Sequence, residues 1–442
     1  MKKLIPLLLS AMFLFSGCSF GTISVDELMR PPKPVGENGK IQEALEKKLG
    51  TDITLKYPKT GEYRTAYVEC NIDGDYENEV IVFYKKNAEV SGIRFNIIDK
   101  VGDDWVSAGD SEGEGTDVDK VIIADLNNDG INEIVIGWNT VSTKDKNVSI
   151  YSYTPGLGYE SCIGKRFSEM YTVMEIMDFM GDGTQQIMTV LLNTAMTTSS
   201  ASLLKLDESG VTLVGKVSLD GNVSSYSNII KGKINNSINA IYLDGYKGAN
   251  VLITEIVYYN GTALTAPLYD EMEKSTTITL RETATLSMDI DSDGNIEIPL
   301  PVVLPGYEQM APADQMRMSN WYIFTGKGLE KKLSTVNNIN DGYYFMLPPA
   351  WVGNVTVIKS NADRSMTFFE WTKGRTDIKA DAPGRELMKI KVYPETEASK
   401  AYSDGFVKIS SKNGLLYTYK LANEPGQFEI KSDTVIGGFI II

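Results

Sequence analysis

One pattern constrains this chain more than its composition does. A hydrophobic strand runs into a short loop of acids, amides and glycine, and a second hydrophobic strand leaves it. The clearest copy is Val121-Ile-Ile-Ala-Asp125-Leu-Asn127-Asn128-Asp129-Gly130-Ile-Asn-Glu133-Ile-Val-Ile136. Others start at Asn71 (Asn71, Asp73, Asp75, Glu79), at Asp178 (Asp178, Met180, Asp182, Gln186) and at Asp289 (Asp289, Asp291, Asp293, Glu297). The starts differ by 125 − 71 = 54, 178 − 125 = 53 and 289 − 178 = 111 residues, the last nearly two periods. A degenerate fourth copy is expected between them, with Asn239–Leu243 as its first strand, Asp244 and Gly245 in its loop and Val251–Val257 as its second strand. A repeat of this length, with alternating segments filling the intervals, holds about four short strands. Such a unit buries its faces only by stacking on its neighbours.

The expected fold is therefore mainly β: a β-propeller of about five blades over residues 51–338, followed by a smaller α+β domain over 339–442. A β-helix or a stack of sandwiches is the competing architecture. Strands are predicted in the C-terminal part at Tyr343–Leu347, Val355–Ser360, Ser365–Trp371, Leu387–Tyr393, Phe406–Ser411 and Leu415–Lys420, with a short helix near Thr396–Tyr402. Lys412-Asn413-Gly414 carries the Asn-Gly pair that a type I′ hairpin needs. Before the repeat, Ile41, Leu45 and Leu49 recur every four residues among charges, which predicts a short amphipathic helix.

The acidic loops point to a hard cation. Alternate side chains of a tight loop converge oxygen donors, and six to eight oxygens suit Ca²⁺. An EF-hand would place Glu at the twelfth position, where Ile136 and Leu300 stand instead. Here the acid comes at the ninth position and opens a strand, as Glu79, Glu133 and Glu297 do. At these residues the chain resembles the FG-GAP and VCBS-type repeats of integrin-like propellers, and the repeat-bearing lipoproteins of clostridial bacteria. The resemblance implies structural Ca²⁺ held by Asp289, Asp291, Asp293 and Glu297; by Asp125, Asn127, Asp129 and Glu133; and by Asn71, Asp73, Asp75 and Glu79. Ranked by ligand charge, the loop at 289 binds best, then those at 125, 71 and 178. Solvated turns rich in Asp and Gly for conformational reasons are the alternative reading of any one such loop.

Lys2 and Lys3 precede an apolar run from Leu4 to Phe15, the layout of a signal peptide over 1–17. Phe15-Ser16-Gly17-Cys18 resembles the lipobox of bacterial lipoproteins, which implies a diacylglycerol on Cys18 and a protein anchored on the outer face of a membrane, extracellular. Residues 18–50 then comprise the lipidated cysteine, a Pro-rich linker and the short helix. Cys70 and Cys162 are expected to be free thiols, with a disulfide between them the alternative in an exported protein.

Composition narrows the chemistry. There are 43 Lys+Arg against 58 Asp+Glu, a net charge of −15, which disfavours nucleic acid. Histidine is absent, which removes the usual general base and His-ligated zinc. Trp321, Trp351, Trp371, Tyr343 and Tyr344 form either a ligand platform or core, and core is the commoner fate. The expected function is a lipid-anchored, calcium-stabilised binding or scaffold module for a protein or glycan, with no catalytic residues. A surface polysaccharide hydrolase or lyase is the alternative.

Overall fold

The computed structural model describes residues 36–87, 92–141, 146–372, 375, 377–378, 383–423 and 426–442. The segment expected to be a signal peptide, Cys18 and the Pro-rich linker lie outside them. Among the described residues the strands are preceded by the helix α1 (Glu37–Leu49), with Ile41 and Leu45 buried on one side.

Antiparallel sheets then follow one another along the chain. The first holds β1 (Ile53–Lys56), β2 (Tyr67–Cys70), β3 (Glu79–Lys86), β4 (Arg94–Val101) and β5 (Asp104–Glu112), with β1 and β2 sharing one edge of β3. The second is β6 (Asp117–Ala124), β7 (Glu133–Asn139), β8 (Lys146–Tyr153) and β9 (Ile163–Tyr171). The third is β10 (Val173–Met177), β11 (Gln186–Asn193), β12 (Thr198–Asp207) and β13 (Gly210–Leu219). The fourth is β14 (Ser225–Ile234), β15 (Ile238–Tyr246), β16 (Leu252–Tyr259) and β17 (Leu264–Thr265). The fifth begins with β18 (Ile298–Val303), β19 (Arg317–Phe324), β20 (Leu329–Asn338) and β21 (Tyr343–Met346). The sixth has the order β22 (Val355–Ser360), β23 (Ser365–Glu370), β24 (Glu386–Pro394), β26 (Leu415–Leu421), β25 (Val407–Lys412). Helices α2 (Ala398–Ser403) and α3 (Ser432–Gly437) flank it, and β27 (Phe439–Ile441) returns to pair with β21.

The central strands read as unbroken hydrophobic runs because both faces are covered. On β3, Ile81 and Phe83 enter a core with Ile134, Ile136 and Trp138 of the second sheet, while Val80 and Val82 face Ile41 and Leu45 of α1. The same alternation repeats down the stack. Val135 and Ile150 meet Ile187 and Leu204; Met188 and Val190 meet Ile241 and Leu243; Tyr242 and Ile256 meet Ile298 and Phe324. At about 25 cal/mol per Å² of apolar surface, these interfaces supply the main drive for ordering the stack.

Three expectations change. The clusters among the described residues join consecutive sheets, and the outward face of the first sheet is covered by α1, so no core cluster closes the stack into the ring that the resemblance implies. The turn near 339 does not separate two domains cleanly: β21 continues the fifth sheet on β20, and one core shared by Met318, Val336, Phe345, Val357 and Phe368 joins the fifth and sixth sheets. The fourth unit is out of register, because residues 238–246 form its second strand and 252–259 its third. Its counterpart of the acidic loop is the hairpin turn at Asn235 and Asn236, both with φ above +50°. Asp244 sits mid-strand, fully buried against Arg281 at 2.9 Å.

Cys70 and Cys162 are free and buried between the first two sheets. Trp321, Trp351, Trp371, Tyr343 and Tyr344 are all core, as large aromatics beside strands usually are. Asn413 and Gly414 take φ of 53° and 76°, as the hairpin chemistry requires. No helix among the described residues is long and apolar enough to cross a membrane.

Candidate metal centre

The acidic loops join β2 to β3, β6 to β7 and β10 to β11, and a reduced hairpin at Met288 and Glu297 presents the last one before β18. Their first residues do not reach for a ligand. Both carboxylate oxygens of Asp125, of Asp178 and of Asp289 accept backbone N–H groups of their own loops, from Asp129 and Gly130, from Gly181, Asp182 and Gly183, and from Asp293 and Gly294. Asn71 does the same with Gly74 at 2.9 Å, and its amide donates to the Asp75 carbonyl. These side chains close the turn. The ninth residue has a second shared duty. One oxygen of Glu79, Glu133 and Glu297 accepts the N–H of Ile72, Leu126 and Ile290 at 2.7, 3.0 and 2.9 Å.

Among the described residues, two groups of three carboxylates bring their oxygens within 4.8 Å of one another: Asp73, Asp75 and Glu79, and Asp289, Asp291 and Glu297. Asp125, Asp129 and Glu133 do not gather in this way, and Asn127 is spent within the loop, its amide donating to Asp129 at 2.8 Å and its oxygen accepting the Asp129 N–H.

The two gathered loops differ in what faces them. At the Asp289 loop the Lys332 ammonium, on β20, donates to Asp291, Asp293 and Glu297 at 2.7, 2.5 and 3.0 Å. Burial opposes its charge, but these bonds hold its pKa above the usual lysine value. Lys332 also lowers the Asp293 carboxyl. The site expected to bind most tightly thus already carries one built-in positive charge among its acids.

At the Asn71 loop no ammonium among the described residues bonds Asp73, Asp75 or Glu79; Lys100 pairs instead with Glu77 at 3.0 Å. Glu79 is fully buried, and its Oε1 has no hydrogen-bond partner. Burial pushes its carboxyl up to about 7, and Asp73, Asp99 and Asp75 add to the rise against the lowering bond from Ile72. Asp73 is raised too, first by burial. Asp99 comes from β4, the strand after β3, and is held by its bond from Tyr153 Oη of the second sheet at 3.0 Å. The strand register explains its arrival. Val80 pairs with Ile98, so the next pair brings Asp99 opposite Glu79. In the third sheet Ile187 pairs with Leu204, which places Lys205 at the same point, and it donates to Asp182 at 2.7 Å. There Gln186 replaces the acid, and its amide donates to Asp182 at 3.2 Å.

Hard anionic oxygens with an unpartnered buried carboxylate fit a calcium-class dication at the Asn71 loop. Asp99, Lys205 and Lys332 were out of reach of the loop motif, because each acts from a strand about 20 to 40 residues further on. The register rule, the residue opposite the ninth position, would have found the first two.

No family model and no curated protein matches the chain. It is similar to solved structures at low identity. Sqt1 of Saccharomyces cerevisiae shares 10% identity over 79% of this chain and 85% of that one, at TM-score 0.31. The Dos1 propeller shares 9% over 86% and 84%, also at 0.31. The rhamnogalacturonan lyase YesW shares 8% over 72% of each chain, at 0.29.

Proposed function

We propose that this chain is a propeller-like binding or scaffold module, tethered outside a membrane through a lipid on Cys18, whose first sheet is clamped at one rim by calcium. Asp73, Asp75 and Glu79 hold the ion, and Asp99 supplies a fourth negative charge behind them. The observation that carries the reading is Glu79: a fully buried carboxylate with one oxygen unpartnered, aimed among two further acids. An uncompensated charge there costs several kcal/mol, which a dication offsets. Sites of this kind with Kd of roughly 10⁻⁴–10⁻³ M are filled in extracellular fluid. The ion is structural, because every acid in reach is used to hold it. The sheets then serve as a rigid frame for presenting loops to a protein or glycan.

Thermal unfolding of the mature chain in 2 mM Ca²⁺ and in EGTA tests this. Calcium should raise the melting temperature by several degrees, and Glu79→Gln should abolish most of the shift. An unchanged melting temperature on chelation sinks the clamp. Labelling with a fatty-acid analogue, lost in Cys18→Ser, tests the anchor separately.

A further inference from the structure

The clamp loop departs from its relatives in one respect that the cation does not use. In the loops at 125, 178 and 289 the fourth and sixth residues are both left-handed: Asn128 and Gly130, Gly181 and Gly183, Ser292 and Gly294, with φ between 60° and 91°. In the loop at 71 only Gly74 is, at 81°, and the sixth position is Tyr76. Dropping the second left-handed residue lets a bulky side chain stand where glycine is otherwise required. That ring is wholly exposed. Held out on the turn, the ring is free to stack on a ligand that enters beside it.

Tyr76 lines a cavity of about 430 Å³, within the roughly 300–1,000 Å³ of small-ligand sites, between the clamp loop, the first turns of α1 and residues of β2, β4 and β5. Trp105 of β5 forms another part of its wall, its indole N–H donating to Glu37 of α1 at 2.6 Å. Glu69, Glu77 and Lys100 add charged groups to the lining beside Asn38 and Asn78, with Lys100 donating to Glu77 at 3.0 Å. Three carboxylates against one ammonium give 1 − 3 = −2 within the cavity, on a chain whose net charge is already −15. Such a site repels uronates, phosphates and sulfates. It offers ring faces for a sugar and for a cation, and carboxylates that accept from hydroxyl and ammonium groups together.

We infer that this cavity is a subsite for a cationic amino sugar, a hexosamine unit of a glycan that carries a free ammonium. A lone lysine side chain would engage one carboxylate and one ring, whereas the polar groups here stand on several sides, as the hydroxyls around a pyranose require. The inference rests on the binding-module reading and not on the clamp ion.

Calorimetry on the full chain, with glucosamine tetramer, its N-acetylated form, tetragalacturonate and a lysine-rich peptide as probes, tests it. Glucosamine tetramer should bind, the acetylated form about tenfold more weakly because the charge is gone, and tetragalacturonate not at all. Tyr76→Ala should weaken glucosamine binding about fivefold without moving the melting temperature, because its ring is fully exposed. Glu77→Gln should weaken the amine form and spare the acetylated one. Equal binding of the two sugars, tighter binding of the peptide or of tetragalacturonate, or an inert Tyr76→Ala would overturn it. The calcium-dependent melting shift is read separately. Its loss with this selectivity intact strikes the clamp alone, and its presence without sugar binding strikes the subsite alone.

Discussion

The loops at Asn71 and Asp289 carry nearly the same acids at the same spacing, gather three carboxylates to the same closeness, and each aim a fully buried glutamate into the group. One gains a positive charge from Lys332 and the other a further negative charge from Asp99. The loop therefore builds the cage, and residues from later strands decide how much negative charge it is left with. Counting ligand charge along the loop ranks the site at 289 first. Counting the charge that strand pairing brings in reverses the order.

The largest expected effect comes from removing the built-in cation. Lys332→Met leaves Asp291, Asp293 and buried Glu297 facing one another, and should cost about 2–4 kcal/mol in chelator, near the range for breaking a buried ion pair. Millimolar Ca²⁺ should restore much of it, because the variant makes this loop resemble the one at Asn71. Denaturant unfolding with and without calcium measures both. A variant that is destabilised and indifferent to calcium would mean that the cage needs more than charge to hold an ion.

The next effect is the pH dependence of the open site. The Glu79 carboxyl in the folded chain sits at about 7, above its ordinary value of 4.5. Between those values the folded state binds the extra proton, so stability falls as pH rises across that window and is level above it. In chelator the chain should be more stable at pH 5 than at pH 7.5, by on the order of 3 kcal/mol for this group. Glu255, buried in the fourth sheet and also pushed up to about 7, first by burial, contributes in the same direction. Glu79→Gln should remove only its own share, and saturating calcium should flatten that share in the unmodified chain. A slope unaffected by Glu79→Gln would place the titration elsewhere.

Much of this was legible in the chain. Strands β3, β7 and β11 announce themselves as hydrophobic runs opened by Glu79, Glu133 and Gln186, and loop spacing located the first three sheets. The fourth unit misled because Asp244-Gly245 imitates a turn. In fact the Asp244 carboxylate is matched by Arg281, Thr254 and Ser287, partners supplied from 10 to 43 residues away. The boundary near 339 misled because a chain reversal was read as a change of sheet, while β21 and β27 extend the existing one. Local turn chemistry is written in adjacent residues. Charge compensation across a sheet is written in the register, which a single sequence does not display.

The smallest effect tests that point most directly. The loop at 178 also receives a lysine, yet the Lys205–Asp182 pair is about one-third exposed on each side, and exposed pairs contribute roughly 0.2–1 kcal/mol. Lys205→Met should therefore cost at most about 1 kcal/mol at pH 7. The Lys205 bond is the main reason that the Asp182 carboxyl lies well below the usual range, so its contribution is present above pH 4 and is lost on acidification below it. Unlike Lys332→Met, this variant should gain no calcium response. Gln186 puts an amide N–H where Glu297 puts an acceptor, and Asp178 has both oxygens committed to the backbone, which leaves Asp182 alone. A calcium-dependent melting shift in Lys205→Met would show that one aspartate in such a turn suffices, and would remove the reason for preferring the loop at Asn71.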